Sequence, residues 1–263
     1  MKSYKIGFTD SGVGSLIFAR DFIVNSTKKL RELGGLYGVK FEFLQCGDNK
    51  NMPYSSKNRE DVKNFINKSL DYLEEKGVNL SIIACNTACI NNNDFSRNMK
   101  IMTIINESAK LLEEVLTENN DKSVLIMATN ATINSGDYQK LLSGFNIKTF
   151  SSSLMAEAIE KEILTENRIK EIINEEMQKL GNIDEIQTIA LFCTHYPFYT
   201  KYLKEYFPQK RIITQGSLLS TVILEKIQTD LEYKIQYNFT NKDIQDIALN
   251  NLFLIGCKNL YGY

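Results

Sequence analysis

The sequence predicts an α/β protein with mostly parallel sheet, and three observations predict it. Short apolar runs alternate with longer amphipathic stretches, the rhythm of βαβ units. The 263 residues exceed the roughly 100–200 usual for one domain, so the chain forms either one large α/β body or two compact lobes. Hydrophobic residues make up 43% and charged residues 24%, close to the globular average, so disordered, collagen-like and coiled-coil readings have no compositional basis.

The elements follow in order. Tyr4–Phe8 reads as the first strand, and a helical pattern runs from Ser15 to about Leu30. Phe41–Cys46, Leu80–Ala84, Ile101–Ile105, Val124–Ala128 and Ile189–Phe192 read as further strands, apolar without alternation as in a sheet covered on both faces. Asn58–Glu75, Ser108–Asn119 and Ile133–Ser143 read as helices. Three prolines and no Gly/Ser-rich or Pro-rich linker mean that any second lobe is reached by direct crossings of the chain. We place these near Met99 and Arg211, giving one lobe from 1–98 plus 212–263 and another from 99–211.

Charge narrows the partners. Thirty-one Lys and Arg against 32 Asp and Glu leave a net charge of -1, with no basic excess for nucleic acid or an anionic membrane. A small neutral or zwitterionic ligand fits better. No apolar run reaches a membrane span, and MKSYKIGFTDSG is a charged entry into a strand, so the expected location is cytoplasmic. Five cysteines, an odd number in a long chain, argue for reduced thiols.

Two of those thiols occupy matching places. LSIIACNT and TIALFCTH are each an apolar strand ending in Cys followed by amide- or hydroxyl-bearing residues. In open parallel sheets, ligands bind beyond the carboxyl ends of the strands, where this pattern puts Cys85 and Cys193. A thiol between a strand and a helix N-terminus is expected to have a lowered pKa. The bland alternative is two buried cysteines packing as small hydrophobes, but Asn86-Thr87 and Thr194-His195 have little reason to follow a core strand unless they face a ligand. His195 is the only histidine and no CxxC pair exists, so a metal site has little basis. Cys89 reads as packing. A Cys193–His195 nucleophile–base pair lacks an evident third orienting group. After the first strand, Thr9-Asp10-Ser11-Gly12-Val13-Gly14 permits a tight turn and close backbone approach, and the helix N-terminus behind it can receive a carboxylate. It lacks the GxGxxG and Walker spacings of a nucleotide loop, and Asp10 as a plain N-cap is the bland account.

DSGVGSL at Asp10–Leu16, GDNKNMPYSSK at Gly47–Lys57, ACNTAC at Ala84–Cys89, ATNATINSGDY at Ala128–Tyr138 and FCTHYPF at Phe192–Phe198 together resemble the cofactor-independent aspartate/glutamate racemase family, on its glutamate branch. The ending YNFTNKDIQDIALNNLFLIG is similar to that family's C-terminal strand and helix. The resemblance implies two similar doubly wound lobes facing each other across a ligand cleft, no cofactor, and 1,1-proton transfer between L- and D-glutamate, the D-isomer feeding peptidoglycan. Inversion by proton transfer needs a base on one face of the carbon and an acid on the other, and two thiols meet that need. Carried over by position, Cys85 and Cys193 are the acid/base pair, Asp10 stands beside the first and His195 beside the second. Ser11, Tyr54, Ser55, Asn86, Thr87, Thr132 and Thr194 hold the amino and carboxylate groups. Family members are often homodimers, so a homodimer is expected too.

Few cations occur in these motifs, so the ligand's carboxylates are expected on hydroxyls, amides and helix N–H groups. Ser15 stands where the family pattern has a second glycine, Ser55 where a glycine commonly follows Pro-Tyr, and Phe192 where Gly usually precedes the second cysteine. A ring at Phe192 can crowd the pocket or reorient the thiol, which bears on substrate identity. Glu157 and Glu160 are alternatives for the family's second-lobe acid. Competing readings are an aspartate or other amino-acid racemase, a non-catalytic binder of an acidic metabolite, and a cysteine hydrolase using Cys193 with His195. No lysine has a distinctive setting for a pyridoxal Schiff base.

Overall fold

The computed structural model describes residues 2–32, 39–90, 95–226 and 232–239. The chain enters as β1 (Lys2–Asp10), turns into α1 (Gly14–Glu32) and returns as β2 (Val39–Gly47). A 3-10 turn over Tyr54–Ser56 precedes α2 (Arg59–Glu75), β3 (Leu80–Ile83), the single-turn α3 (Asn86–Cys89) and β4 (Lys100–Thr103). After α4 (Ile104–Glu118) come β5 (Ser123–Ala128), the short helices α5 (Asn130–Ser135) and α6 (Asp137–Leu141), and β6 (Asn146–Ser151). Two more helices, α7 (Ser153–Lys161) and α8 (Glu166–Gln178), lead to β7 (Thr188–Leu191) and a 3-10 turn over Tyr196–Tyr199. The described chain ends with α9 (Thr200–Tyr206), β8 (Arg211–Thr214), α10 (Gln215–Lys226) and β9 (Glu232–Phe239).

The strands form two sheets, ordered β4-β3-β1-β2-β9 and β6-β5-β7-β8, and all described pairs are parallel. Read from its other edge, the second sheet is β8-β7-β5-β6, which repeats the β4-β3-β1-β2 order of the first. The weak repeat seen around the two cysteines is thus a repeat of topology. In each sheet the chain steps one way from the first strand and later returns to its other side, so a switch point opens between β1 and β3 and again between β5 and β7. Loops diverge there and leave a crevice beyond the strand ends.

The elements form for local reasons. All four residues of β7 are buried, as expected of a strand covered on both faces. Asn58, Thr129, Ser152 and Thr165 cap α2, α5, α7 and α8 by accepting N–H groups of the first turn. The side chains of Phe8, Phe18, Phe22 and Phe43 form one ring cluster with centroids 5.6–6.3 Å apart, which seats α1 on β1 and β2. Such pairs contribute about 0.5–1.5 kcal/mol each beyond their buried area.

β4 pairs with β3 and β8 pairs with β7, so the chain leaves the first sheet after Thr103 and the second after Thr214. The crossing helices are therefore α4 and α10, which pack on each other. Ile104 and Ile105, read as strand, begin α4. The helix expected over Ile133–Ser143 is broken into α5 and α6 by Gly136, whose φ of 70° suits glycine and ends a helix. The C-terminal similarity is described only to Phe239, and residues 240–256, like Cys257, lie outside the described residues. No helix among the described residues is long and apolar enough to cross a membrane.

Candidate active site

The carboxyl ends of both sheets face one cavity of about 130 Å³. That is near the roughly 150 Å³ that holds a benzene-sized molecule, and it suits a small metabolite better than a nucleotide. Asp10, Ser11 and Cys85 wall it from the first sheet, and Cys193, Thr194 and His195 from the second. Each cysteine follows the strand across a switch point, β3 for Cys85 and β7 for Cys193, so the repeated topology brings one cysteine from each sheet to the same cavity.

Cys85 is the N-cap of α3, with its Sγ 3.9 Å from the Ser11 hydroxyl. The expected lowering of its pKa does not occur: burial pushes the thiol well above its usual range, and the neighbouring Asp10 carboxylate adds to this. One helical turn offers a weak dipole against those two effects. Asp10 ends β1, fully buried, with Oδ1 accepting the Ser11 N–H at 2.8 Å and Oδ2 the Thr194 hydroxyl at 3.1 Å. Burial raises its pKa, opposed by the charge of His195.

Across the cavity, His195 Nδ1 lies 3.8 Å from Cys193 Sγ and Nε2 lies 2.7 Å from Glu160 Oε1. Burial opposes charge on the imidazole, but its bonds to Cys193 and Glu160 outweigh that and hold its pKa well above the ordinary value. Glu160 Oε1 also accepts the Val13 N–H at 2.8 Å. The carboxylate received at the start of α1 is therefore one of the protein's own. Gly12 and Gly14 serve this contact: a Cβ on Gly12 would strike Glu160, and one on Gly14 would strike Thr194, Asp10 and His195. The two acids differ in setting. Glu160 is buried beside His195, whereas Glu157, also on the cavity wall, pairs with Lys161 at 2.7 Å.

Ser11, Tyr54, Ser55, Asn86, Thr87 and Thr194 all line the cavity. Ser55 is exposed at the rim, Tyr54 donates its hydroxyl to Asp48 at 3.0 Å, and the Asn86 amide is committed to Gln215 and Tyr138. Thr132 does not line it. Thr129, the cap of α5, takes that place and meets Thr87 at 3.4 Å, with the Thr132 hydroxyl 3.0 Å behind it. Asn130 and Ser153 line the cavity as well and were not singled out in the sequence; the hydroxyl run Ser151–Ser153 ahead of a helical pattern was the available signal for the second. No Lys or Arg is among the described lining residues. Phe192 does not crowd the pocket: it is fully buried, its ring packs on Tyr138 at 4.5 Å, and its N–H bonds the Met127 carbonyl at 2.8 Å, so the side chain turns away from the thiol that follows it.

No protein-family model matches the chain. A glutamate racemase of Clostridium botulinum (strain Langeland / NCTC 10281 / Type F) is 32% identical over 217 residues, 81% of this chain and 79% of the relative. One from Hydrogenobaculum sp. (strain Y04AAS1) is 26% identical over 253 residues, 95% of this chain and 91% of the relative. The crystal structure of the glutamate racemase of Campylobacter jejuni subsp. jejuni superposes with a TM-score of 0.76 at 25% identity, covering 97% of this chain and 99% of that one. A duplicated parallel sheet with a sulfur at each switch point, and sequence identity sustained across four-fifths of the chain, lead to one conclusion: the chain belongs to the glutamate racemase family.

Proposed function

We propose that the protein interconverts L- and D-glutamate by cofactor-independent proton transfer between two thiols, supplying D-glutamate for peptidoglycan. The observation that carries this reading is that Cys85 and Cys193 line one cavity from opposite sheets, each with a different ionisable neighbour. Cys193 faces a positive imidazole and acts as base; Cys85, backed by Asp10, keeps its proton and acts as acid. The Cys193 thiolate takes the α-proton, and the C–H electron pair remains on Cα, spread into the α-carboxylate. Cys85 then delivers its own proton to the opposite face, leaving Cys85 as thiolate and Cys193 as thiol, ready for the reverse reaction. Ser11, Thr87, Thr129 and Thr194 offer hydroxyls to the ligand's carboxylates, and donors already aimed at the developing negative charge lower the barrier. We take the two sheets with their helices as two lobes, the enzyme as cytoplasmic and a homodimer as the assembly, which sedimentation would test.

Incubation with L-glutamate in heavy water tests the reaction and the substrate together. D-glutamate carrying deuterium at Cα is expected, with Cys85→Ser and Cys193→Ser each abolishing inversion. Absence of the D-isomer, or inversion of aspartate in preference to glutamate, overturns the assignment; catalysis that survives Cys85→Ser but not Cys193→Ser points to a hydrolase instead.

A further inference from the structure

The residue after one thiol and the residue before the other are joined by a single side chain. The Tyr138 hydroxyl donates to Asn86 Oδ1 at 2.6 Å, and Asn86 directly follows Cys85. The Tyr138 ring packs at 4.5 Å on Phe192, which directly precedes Cys193. Tyr138 is not part of the cavity wall. It is held from behind by Gln215, whose Nε2 reaches the Tyr138 oxygen at 3.0 Å, Asn86 Oδ1 at 3.0 Å and the Ser108 hydroxyl at 3.1 Å, while its Oε1 accepts from Asn86 at 2.7 Å. Asn86, Ser108, Tyr138 and Gln215 are all more than nine-tenths buried. Ser108 lies on α4 and Gln215 begins α10, so both crossing helices converge on this cluster. A buried network with every member bonded has one well-defined geometry.

We propose that Tyr138 is a positioning residue that sets the separation of the two sulfurs, tying the Cys85 wall to the Cys193 wall through Asn86 and Phe192. This rests on the two-thiol reading above. A carbanion formed by one thiol is inverted only if the second is within reach; if the second is displaced, the first returns a proton to the face it came from. When that thiol has meanwhile exchanged with solvent, the recovered substrate gains deuterium without inverting. The ratio of deuterium in recovered starting enantiomer to deuterium in inverted product therefore reads the placement of the far thiol, which a loss of general stability does not move.

Tyr138→Phe removes one oxygen and leaves Asn86 both of its bonds to Gln215, and Phe192→Leu loosens the other end while keeping apolar bulk. Both variants are expected to lower kcat by roughly ten- to a hundredfold, with KM changed little, because a misplacement near 1 Å costs on that scale. Both are also expected to raise the deuterium ratio severalfold. A ratio at the wild-type value in either folded variant, whatever its kcat, overturns the proposal. Failure of the two-thiol reading looks different: the wild-type protein then shows no inversion, or inversion survives Cys85→Ser or Cys193→Ser.

Discussion

The bonds of His195 to Cys193 and Glu160 outweigh burial and hold its pKa well above the ordinary value, and the second of these can be removed without disturbing the first. Glu160→Gln leaves an oxygen for the Val13 N–H but takes away the negative charge 2.7 Å from Nε2. Burial then weighs more, and the His195 pKa falls. If the imidazolium is the active form, the alkaline limb of the kcat–pH profile moves to lower pH, with roughly a hundredfold loss at neutral pH. A limb that stays in place means that His195 acts uncharged. Stability has the same sign: a folded pKa above the ordinary histidine value gives stabilisation that is complete below that value and lost as pH rises through the folded one, so the variant's stability should vary less with pH across that window. Cys85 and Cys193 stood out in the sequence because each ends an apolar strand and is followed by polar residues with little packing reason to be there, whereas Asp10 and His195 were placed beside them by the family resemblance. Glu160 could not be separated from Glu157, because residues three apart share a helix face and only the placement of α7 against α1 decides which one meets His195.

At the scale of elements, the start of α1 does more than begin a helix. Just ahead of it the Val13 N–H bonds Glu160, and a Cβ on Gly12 would strike Glu160 while one on Gly14 would strike Thr194, Asp10 and His195. Gly14→Ala is expected to cost about 1–3 kcal/mol in a urea titration, as overpacking does, and to lower kcat at least a hundredfold, since the displaced groups are Asp10, Thr194 and His195. Gly144→Ala, with nothing within 4 Å of the added carbon, should be neutral within about 0.5 kcal/mol and serves as the control. Equal behaviour of the two variants would remove the close approach as the reason for the glycine. β3, β5 and β7, which the sequence revealed, are buried along nearly their whole length. β6, which escaped it, is a sheet edge whose residues are mostly half-exposed, so its pattern is diluted. The break between α5 and α6 needed only the recognition that Gly136 stops a helix; the apolar and polar spacing runs through it.

For the whole molecule, the decisive elements are the two crossing helices. α4 carries the chain out of the first sheet, α10 carries it back, and they pack on each other while α10 also packs along α1. Asp10 bonded to Thr194 and Asn86 bonded to Gln215 add buried polar links between groups that belong to different sheets or crossings. With so much buried surface shared, neither sheet keeps its packing once the other is lost, and unfolding should be one transition. Peptide-resolved alkylation along a urea gradient can check this, because Cys85 and Cys193 report on separate sheets and both are buried in the native state. Their labelling midpoints are expected to coincide. Glutamate at a hundred times its Kd should move both together by about 2.7 kcal/mol, the stabilisation any ligand confers by binding only the folded form. Labelling of Cys193 at a lower urea concentration than Cys85, or a ligand shift confined to one of them, would mean that the two halves unfold independently and that the contacts through α10 do not couple them.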